Sequence, residues 1–151
     1  MFSFFNRKKK FFTDEQQQVI VSAIQNAERC TSGEVRVYVE SRCRYMDALD
    51  RAVEVFAQME MYKTQERNAV LVYVATKDHQ LAVFGDEGIH QKVGNEYWNA
   101  EIAKMIRDFN RDDFAKGIAG CVEDIGKALE HFFPFTNQDK NELSDQIEFG
   151  R

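Results

Sequence analysis

The sequence predicts an α/β fold in which helices cover a small sheet. Three observations predict this class: helical segments with one apolar face in both halves of the chain, a continuous apolar run at residues 69–75, and a second strand-like segment at 81–85 after a short polar turn. Helix, strand, helix, strand, strand, helix and helix follow one another. Such alternation is typical of layered α/β domains, in which helices pack on the faces of a sheet.

The composition fits one globular domain with its own core. The chain has 151 residues, 44% of them hydrophobic, with 13 Phe and a single Pro. A chain of this length hides roughly two thirds of its unfolded surface on folding, so it can fill a core without metals or disulfides. The net charge of −5 argues against a general nucleic-acid binder, because that class needs a broad basic face. We therefore expect no nucleic-acid partner.

Cysteine usage and hydropathy predict a cytoplasmic protein. The three cysteines, Cys30, Cys43 and Cys121, form no C-x-x-C pair, so they indicate neither a disulfide framework nor a zinc cluster. No apolar run approaches the roughly 18 residues that cross a bilayer, and the N-terminus lacks the pattern of a secretory signal. The expectation is a cytoplasmic chain without a signal peptide or transmembrane helix.

The first half of the chain has the pattern of helix, strand and helix. Thr13 and Gln16 form a capping box, and apolar residues then recur at helical spacing until the chain reaches Gly33. Residues 34–40 alternate between valines and polar side chains, which predicts a half-buried strand. Helical spacing returns over residues 46–57. A crossover helix of this kind makes the strands on either side of it parallel, with a right-handed connection.

The second half begins with a hairpin. Residues 69–75 are all apolar or aromatic and rich in β-branched side chains, which predicts a central strand covered on both faces. Residues 76–79 form a polar turn, so residues 81–85 are expected to return antiparallel to the central strand.

Two helices close the predicted fold, with apolar stripes over residues 98–109 and 114–132. Gly117 and Gly120 fall on nearly the same side of the last helix. They either permit close approach of its backbone to the sheet or are simply tolerated.

The predicted hairpin brings acidic residues from separate parts of the chain to one edge of the sheet. If the third strand returns along the second, Gly85 lies beside the start of the first strand at Glu34. Asp86 and Glu87, together with Glu34 and the amide of Asn68, then supply oxygen ligands of the kind that Ca²⁺ or Mg²⁺ prefers. The alternative is a solvated glycine turn beside a strand-edge solubilising residue.

Two further residues are candidates for catalysis, His90 and Asp113. Either could handle a proton beside a bound cation. Asp112 and Asp113 also suit the start of a helix, so the choice lies between capping that helix and completing the cation site. The sequence has no nucleophile elbow and no P-loop.

The two ends of the chain differ from the middle. Residues 1–12 are a basic, Phe-rich arm, which either touches an anionic membrane surface or packs on the domain. Residues 134–151 are polar and mildly acidic, which predicts a flexible tail or a partner-binding segment. The α/β domain itself is expected over residues 13–133.

Taken together, these parts resemble the TPM domain family, which includes thylakoid lumen proteins of photosystem II repair and many bacterial membrane-associated proteins. The resemblance covers residues 13–133 and rests on three segments, "TSGEVRVYVE", "ERNAVLVYVATKDHQLAVFGDEGI" and "FNRDDFAKGIAGCVEDIGKAL". It implies a three-layer α/β/α sandwich of Rossmann-like appearance, with a small mixed sheet, a β-hairpin and C-terminal helices. Acid phosphatase activity and Ca²⁺ binding are ascribed to some members.

The resemblance is uneven at the proposed site. The residues that match family positions are Ser32, Gly33, Asn68, Gly85, Gly88 and Asp113, while Asp86 and Glu87 occupy the corresponding loop. The family's usual turn of glycine, any residue, glycine, leucine and glutamate is here "GDEGIH", with one additional residue and with His90 at the acidic position. The signal peptide and membrane helix common in the family have no counterpart in this sequence.

Two functions follow from these observations. The first is a TPM-like module that binds a divalent cation, Ca²⁺ or Mg²⁺, or a protein partner without catalysis. The second is a metal-assisted acid phosphatase acting on phosphate monoesters. The first is favoured, because a pair of carboxylates suffices for binding but not for a mechanism.

Overall fold

A computed structural model of the chain describes residues 11–111, 113–135 and 147–150. Its elements, in chain order, are α1 (Asp14–Arg29), β1 (Glu34–Glu40), α2 (Ala48–Gln58), a 3₁₀ turn (Met61–Lys63), β2 (Ala69–Ala75), β3 (Gln80–Gly85), α3 (Glu87–Val93), α4 (Asn95–Phe109), α5 (Phe114–Phe132) and β4 (Glu148–Phe149). None of the helices described is long and apolar enough to cross a membrane.

The sheet has the strand order β3-β2-β1-β4. β1 and β2 are parallel, and β3 runs antiparallel to β2, which confirms both predicted connections. Glu34 is paired with Ala69, and Val70 is paired with Gly85. The starts of β1 and β2 therefore lie at the same edge of the sheet as the end of β3, as the hairpin prediction required.

Two apolar clusters, one on each face of the sheet, make the fold a three-layer α/β/α sandwich and confirm that prediction. On one face, α1, α3, α4 and α5 pack on the valines of β1 and β2. On the other face, α2 and the 3₁₀ turn pack on alternate residues of β2. Every residue of β2 is buried, as expected for the central strand.

β1 is more deeply buried than its alternating sequence predicts. Arg36 is buried, and Tyr38 is the only half-buried residue of the strand. The polar face of β1 is covered because Tyr38 packs against the α2 cluster and Arg36 pairs with Glu148 at 3.0 Å. The polar residues of β1 therefore face other side chains on the second face of the sheet, and not solvent.

The ends of the domain meet beside β1. β4, which falls within the segment predicted as a flexible tail, pairs with β1 in parallel register. Phe12 is buried in the core, and the ring of Phe11 stacks on that of Phe149 with centroids 5.7 Å apart. The predictions for residues 1–10 and 136–146 lie outside the described residues.

Glycines of α5 serve helix packing instead of contact with the sheet. A Cβ on Gly117 would lie 3.0 Å from the Asp108 side chain of α4, and one on Gly120 would meet nothing within 4 Å. The closest helix contact is at Gly126, where a Cβ would come within 2.6 Å of the Ala27 side chain in α1. Gly120 is thus tolerated, while Gly117 faces another helix.

Candidate functional site

A groove of about 630 Å³ runs beside β3, the outermost described strand on that side of the sheet. Leu49 of α2 lines one wall, and Trp98, Asn99 and Ile102 of α4 line the other. The end of the groove at Gly85 is polar, and its lining there consists of Arg67, Asp86, Glu87 and His90. Three of the predicted site residues therefore lie in one concave surface.

The predicted glycine turn is the start of a short helix. Asp86 has extended backbone geometry, and its side chain accepts a hydrogen bond from the Glu87 N–H, so it is the N-cap of α3. Gly88 is required because a Cβ there would lie 2.1 Å from the Glu66 carbonyl oxygen. Its N–H instead donates to the Arg67 carbonyl at 2.8 Å, which fixes the loop before β2 against α3.

Asp86 forms a two-pronged ion pair with Arg67. Arg67 Nε donates to Oδ2 at 2.6 Å and Nη2 donates to Oδ1 at 2.9 Å. The Asp86 side chain is 5% exposed, whereas that of Arg67 is 41% exposed. These hydrogen bonds raise the pKa of Arg67 above its ordinary value. Arg67 has a backbone φ of 53°, a left-handed conformation that is uncommon for a residue with a side chain.

This ion pair uses a carboxylate, that of Asp86, which the sequence predicts to be a ligand of the cation. Both Asp86 carboxylate oxygens accept hydrogen bonds, one of them from two donors. Glu87 is largely exposed and lies 3.5 Å from Arg67 Nη1. Within the described ranges, no group of three or more His, Cys, Asp or Glu residues could hold a metal ion. The residues as arranged do not fit a bound Ca²⁺ or Mg²⁺, because a guanidinium already occupies the position next to Asp86.

The other predicted ligands lie at the same sheet edge. Asn68 is buried, and its amide donates to Ser32 Oγ at 3.1 Å, which in turn donates to Glu66 Oε2 at 2.7 Å. Glu34 is buried at the start of β1, where its N–H donates to the Asn68 carbonyl at 3.4 Å. The backbones of these residues therefore lie at one edge of the sheet, while the hydrogen bonds of Asn68 and Asp86 belong to two different networks.

His90 is part of the groove wall. Its Nδ1 accepts a hydrogen bond from Trp98 Nε1 at 3.0 Å. Trp98 packs so closely on Gly85 that a Cβ there would lie 2.3 Å from the indole ring. The indole therefore uses Nδ1 of His90 and leaves only Nε2 for any other partner.

Asp113 lies far from the other candidates. Its side chain caps α5 by accepting from the Lys116 N–H at 3.4 Å. The opposite end of α5 is the one near β1, since a Cβ on Gly33 would touch Leu129. Asp113 and Leu129 are sixteen positions apart in the sequence, which is about 24 Å along the helix at 1.5 Å per residue. Asp113 thus caps a helix and is not placed to work with Asp86, while Asp112 lies outside the described residues.

Sequence reasoning missed a buried carboxyl between α4 and α5. Glu101 is buried, and burial together with the neighbouring Asp124 raises the pKa of its carboxyl to about 7. Lys104 Nζ lies 3.4 Å from Glu101 and 3.1 Å from Asp124. Within α4, Glu101 falls one turn after the apolar Tyr97 and Trp98, and its place on that inward face was the one signal available.

A second buried carboxylate, Glu40, was also missed. It accepts from Arg51 Nε at 2.9 Å and Nη2 at 3.1 Å, and from the Tyr73 hydroxyl. Desolvation and the bond to Glu40 raise the pKa of Tyr73 far above its ordinary value, so this phenol stays protonated. The network ties β1, β2 and α2 together at the edge opposite Glu34.

The chain as a whole matches a known family. The TPM domain family model matches residues 5–128 of the chain. The chain belongs to the TPM domain family. No curated protein matches it.

Three solved structures are similar to this chain. The BA42 protein of the psychrophilic bacterium Bizionia argentinensis is 36% identical, with a TM-score of 0.85, and the match covers 93% of this chain and 97% of that one. The N-terminal domain of cg2496 from Corynebacterium glutamicum is 13% identical, with a TM-score of 0.63, over 79% of this chain and 74% of that one. The N-terminal domain of a P. gingivalis protein is 14% identical, with a TM-score of 0.66, over 81% and 78%. The last two show the fold alone.

Proposed function

We propose that this TPM domain is a non-enzymatic binding module whose ligand site is the groove beside β3. One observation carries the proposal: Asp86 and His90 at the end of the groove already have hydrogen-bond partners, while an apolar side chain of its wall, Leu49, is exposed. Asp86 is held by Arg67, and His90 is held by Trp98. Leu49 is 50% exposed although it lines the groove.

The arrangement gives less support to a phosphatase. A general acid or base must reach the reacting atom, and a carboxylate engaged by a guanidinium on both oxygens is a poor base. Asp113 caps one end of α5, and the other end, about 24 Å away along the helix, is the one near the sheet edge of Asp86. Asp113 therefore cannot share a substrate with Asp86. Binding requires neither a free base nor a nucleophile.

The fluorescence of Trp98 can report binding in the groove, because Trp98 lines the groove and is the only tryptophan of the chain. We expect short apolar peptides that enter the groove to change the emission of Trp98 in a saturable way. Ile102→Glu, which puts a charge on the groove wall, should weaken the response at least tenfold. Ile106→Glu is the matched control, since Ile106 lies one turn further along α4 and is exposed. Equal responses in both variants would contradict the proposal.

The phosphatase alternative has a direct test. We expect that release of phosphate from an aryl phosphate at mildly acid pH, with Ca²⁺ or Mg²⁺ present, stays at the uncatalysed rate. Asp86→Asn and His90→Gln are the variants that decide it. Turnover that is saturable in the wild-type protein and falls at least a hundredfold in either variant would replace the binding module with an enzyme.

A further inference from the structure

The sequence of β3 lacks the features that usually protect an outer strand. Natural sheets discourage pairing at their edges with charged residues, proline, bulges or a covering element. The sequence of β3, "QLAVFG", has no charge and no proline, and its register with β2 runs without a bulge from Gln80 to Gly85. The helices beside this edge form the walls of the groove, and β3 lies at its base, where Val83 is 3% exposed and Gly85 is buried.

The hydrogen bonds of the hairpin tell which peptide groups face the groove. The Asp86 N–H donates across to the Ala69 carbonyl at 2.9 Å. In an antiparallel pair the bonding residues alternate, so Phe84 and Ala82 also bond to β2. The peptide groups of Gly85, Val83 and Leu81 therefore point outward, and no described backbone group outside the sheet bonds to them.

The walls of the groove suit the side chains of one extended segment. On an added strand, successive side chains point to opposite faces. Those on one face would meet Trp98 and Ile102, and those on the other would meet Leu49 and Phe84. The six residues of β3 span about 20 Å, which matches an added strand of five or six residues.

The charge at the Gly85 end favours a basic residue in the ligand. The groove lining contains two carboxylates, Asp86 and Glu87, and one guanidinium, Arg67. Arg67 is held by Asp86, so among the described residues the Glu87 carboxylate, whose side chain is 64% exposed, is balanced only by a contact of 3.5 Å with Arg67.

A second copy of the chain fits this edge less well. Pairing of β3 with β3 of another copy would place the two α4 helices on the same face of a continuous sheet. Strands lie about 4.8 Å apart, whereas packed helices need about 8–10 Å between their axes. Because α4 packs on β3, the two helices would collide.

We propose that the groove binds an extended segment of a partner protein, which joins the sheet as an additional strand beside β3. The segment has apolar side chains on one face, β-branched side chains with a methyl group on the other, and a basic residue at the end next to Glu87. This inference rests on the proposed function and names the class of ligand for the same groove. Hydrogen bonds to Leu81, Val83 and Gly85 supply affinity, and the walls supply selectivity.

The test uses the peptide KVTVTVK, acetylated and amidated, with the complete chain. On saturation, we expect the amide hydrogens of Leu81, Val83 and Gly85 to exchange at least tenfold more slowly. Those of Ala82 and Phe84, which already bond to β2, should change less than twofold. Ile102→Glu should weaken binding at least tenfold and Ile106→Glu less than threefold.

Two methylated peptides separate strand addition from simple apolar contact. One carries N-methyl groups on its three valines and the other on its two threonines, so each has lost the donors of one edge. We expect one of them to bind at least tenfold more weakly than the parent and the other to bind within threefold. If both or neither lose affinity, the ligand does not pair with β3.

Three further outcomes would overturn the inference. Slow exchange of Leu81, Val83 and Gly85 in the free monomer would mean that a segment of the same chain already fills the groove. A dimer in sedimentation that excludes the peptide would make a second copy the occupant. Peptide binding without the alternating protection would refute strand addition and leave the proposed binding groove standing.

Discussion

At the scale of single residues, Arg67 decides the chemistry of the predicted site. It places a guanidinium against Asp86, where the sequence predicts a divalent ion, and it does so with bonds of 2.6 and 2.9 Å. Each charge-assisted hydrogen bond of this pair is roughly twice as strong as a neutral one, and the pair occupies the same oxygens that a metal would need.

The variant Arg67→Gln removes that competitor. We expect its affinity for Ca²⁺ to be at least tenfold higher than that of the wild-type protein, because Asp86 and Glu87 then face each other without a cation. Amide shifts of residues 86–88 during a Ca²⁺ titration measure this. Lys116→Gln makes the same change of charge at the start of α5 and should leave Ca²⁺ affinity unaltered. Wild-type affinity equal to that of Arg67→Gln would show that the ion pair is no barrier.

The role of Asp86 could be predicted only in part. The hairpin places Gly85 beside the start of β2, so proximity of Arg67 to Asp86 follows from topology alone. The conformation of Arg67 does not, because its φ of 53° is unusual for this residue type. The hydrogen bond of His90 could not be predicted either, because its partner Trp98 lies eight residues away in a different helix.

At the scale of elements, the contact between α4 and α5 contains an ionisable group that is not solvated. Glu101 is buried beside Asp124, and its pKa is raised from an ordinary 4.5 to about 7. A raised pKa means that the folded protein binds the proton more tightly than the unfolded chain. The resulting stabilisation is complete below about pH 4.5 and is lost as the pH rises through 7.

The variant Glu101→Gln keeps the shape of the side chain and removes its titration. From pH 5 to pH 8, we expect the wild-type protein to lose on the order of 2 kcal/mol of unfolding free energy relative to this variant. Denaturant unfolding at several pH values measures the difference. Glu123→Gln, on the exposed side of α5, should follow the wild-type curve. Parallel curves for the wild-type protein and Glu101→Gln would rule out a raised pKa.

The contact between α1 and α5 depends on Gly126. A Cβ there would lie 2.6 Å from the Ala27 side chain and 2.9 Å from its Cα, so the helices must separate to admit a methyl group. We expect Gly126→Ala to lower the unfolding free energy by about 1–3 kcal/mol. Gly120→Ala, on the same helix with open space around it, should raise it by about 0.5–1 kcal/mol. Equal effects of the two substitutions in thermal unfolding would contradict the close contact.

Elements with strong periodicity were predictable, and those fixed by distant contacts were not. The hairpin of β2 and β3 follows from apolar runs separated by a polar turn. The sequence predicts a turn where α3 lies, because the seven residues of this helix contain only two apolar side chains, Ile89 and Val93. Its start depends on Asp86 as a cap and on contact between Gly88 and Glu66, which lie in different parts of the chain.

At the scale of the whole molecule, the two edges of the sheet differ in their surroundings. β4 pairs with β1 on one side, while the outward peptide groups of β3 face the groove on the other. The sequence predicts three strands but not the fourth, because two residues are too few to produce a periodic pattern. β4 is set instead by buried Ile147 and by the Arg36 partner Glu148.

Removal of residues 147–151 tests whether β4 completes the domain. The deletion leaves Arg36 buried without the carboxylate at 3.0 Å, exposes the site of Ile147 and removes the Gly150 N–H bond to the Val39 carbonyl. We expect a loss of about 3–5 kcal/mol, because a buried charge without its partner is costly and Ile147 adds its own burial. For a chain of this size that corresponds to a melting temperature roughly 10 °C lower.

The variant Glu148→Gln separates the two causes of that loss. It keeps the strand and Ile147 but removes the charge, so it should lie between the wild-type protein and the deletion in a thermal melt. A deletion that melts with the wild-type protein would mean that β4 contributes nothing to stability. A Glu148→Gln variant as unstable as the deletion would assign the whole effect to Arg36. The intermediate result is expected because ion pair and apolar burial act through separate contacts, and such contributions add when their partners are not shared.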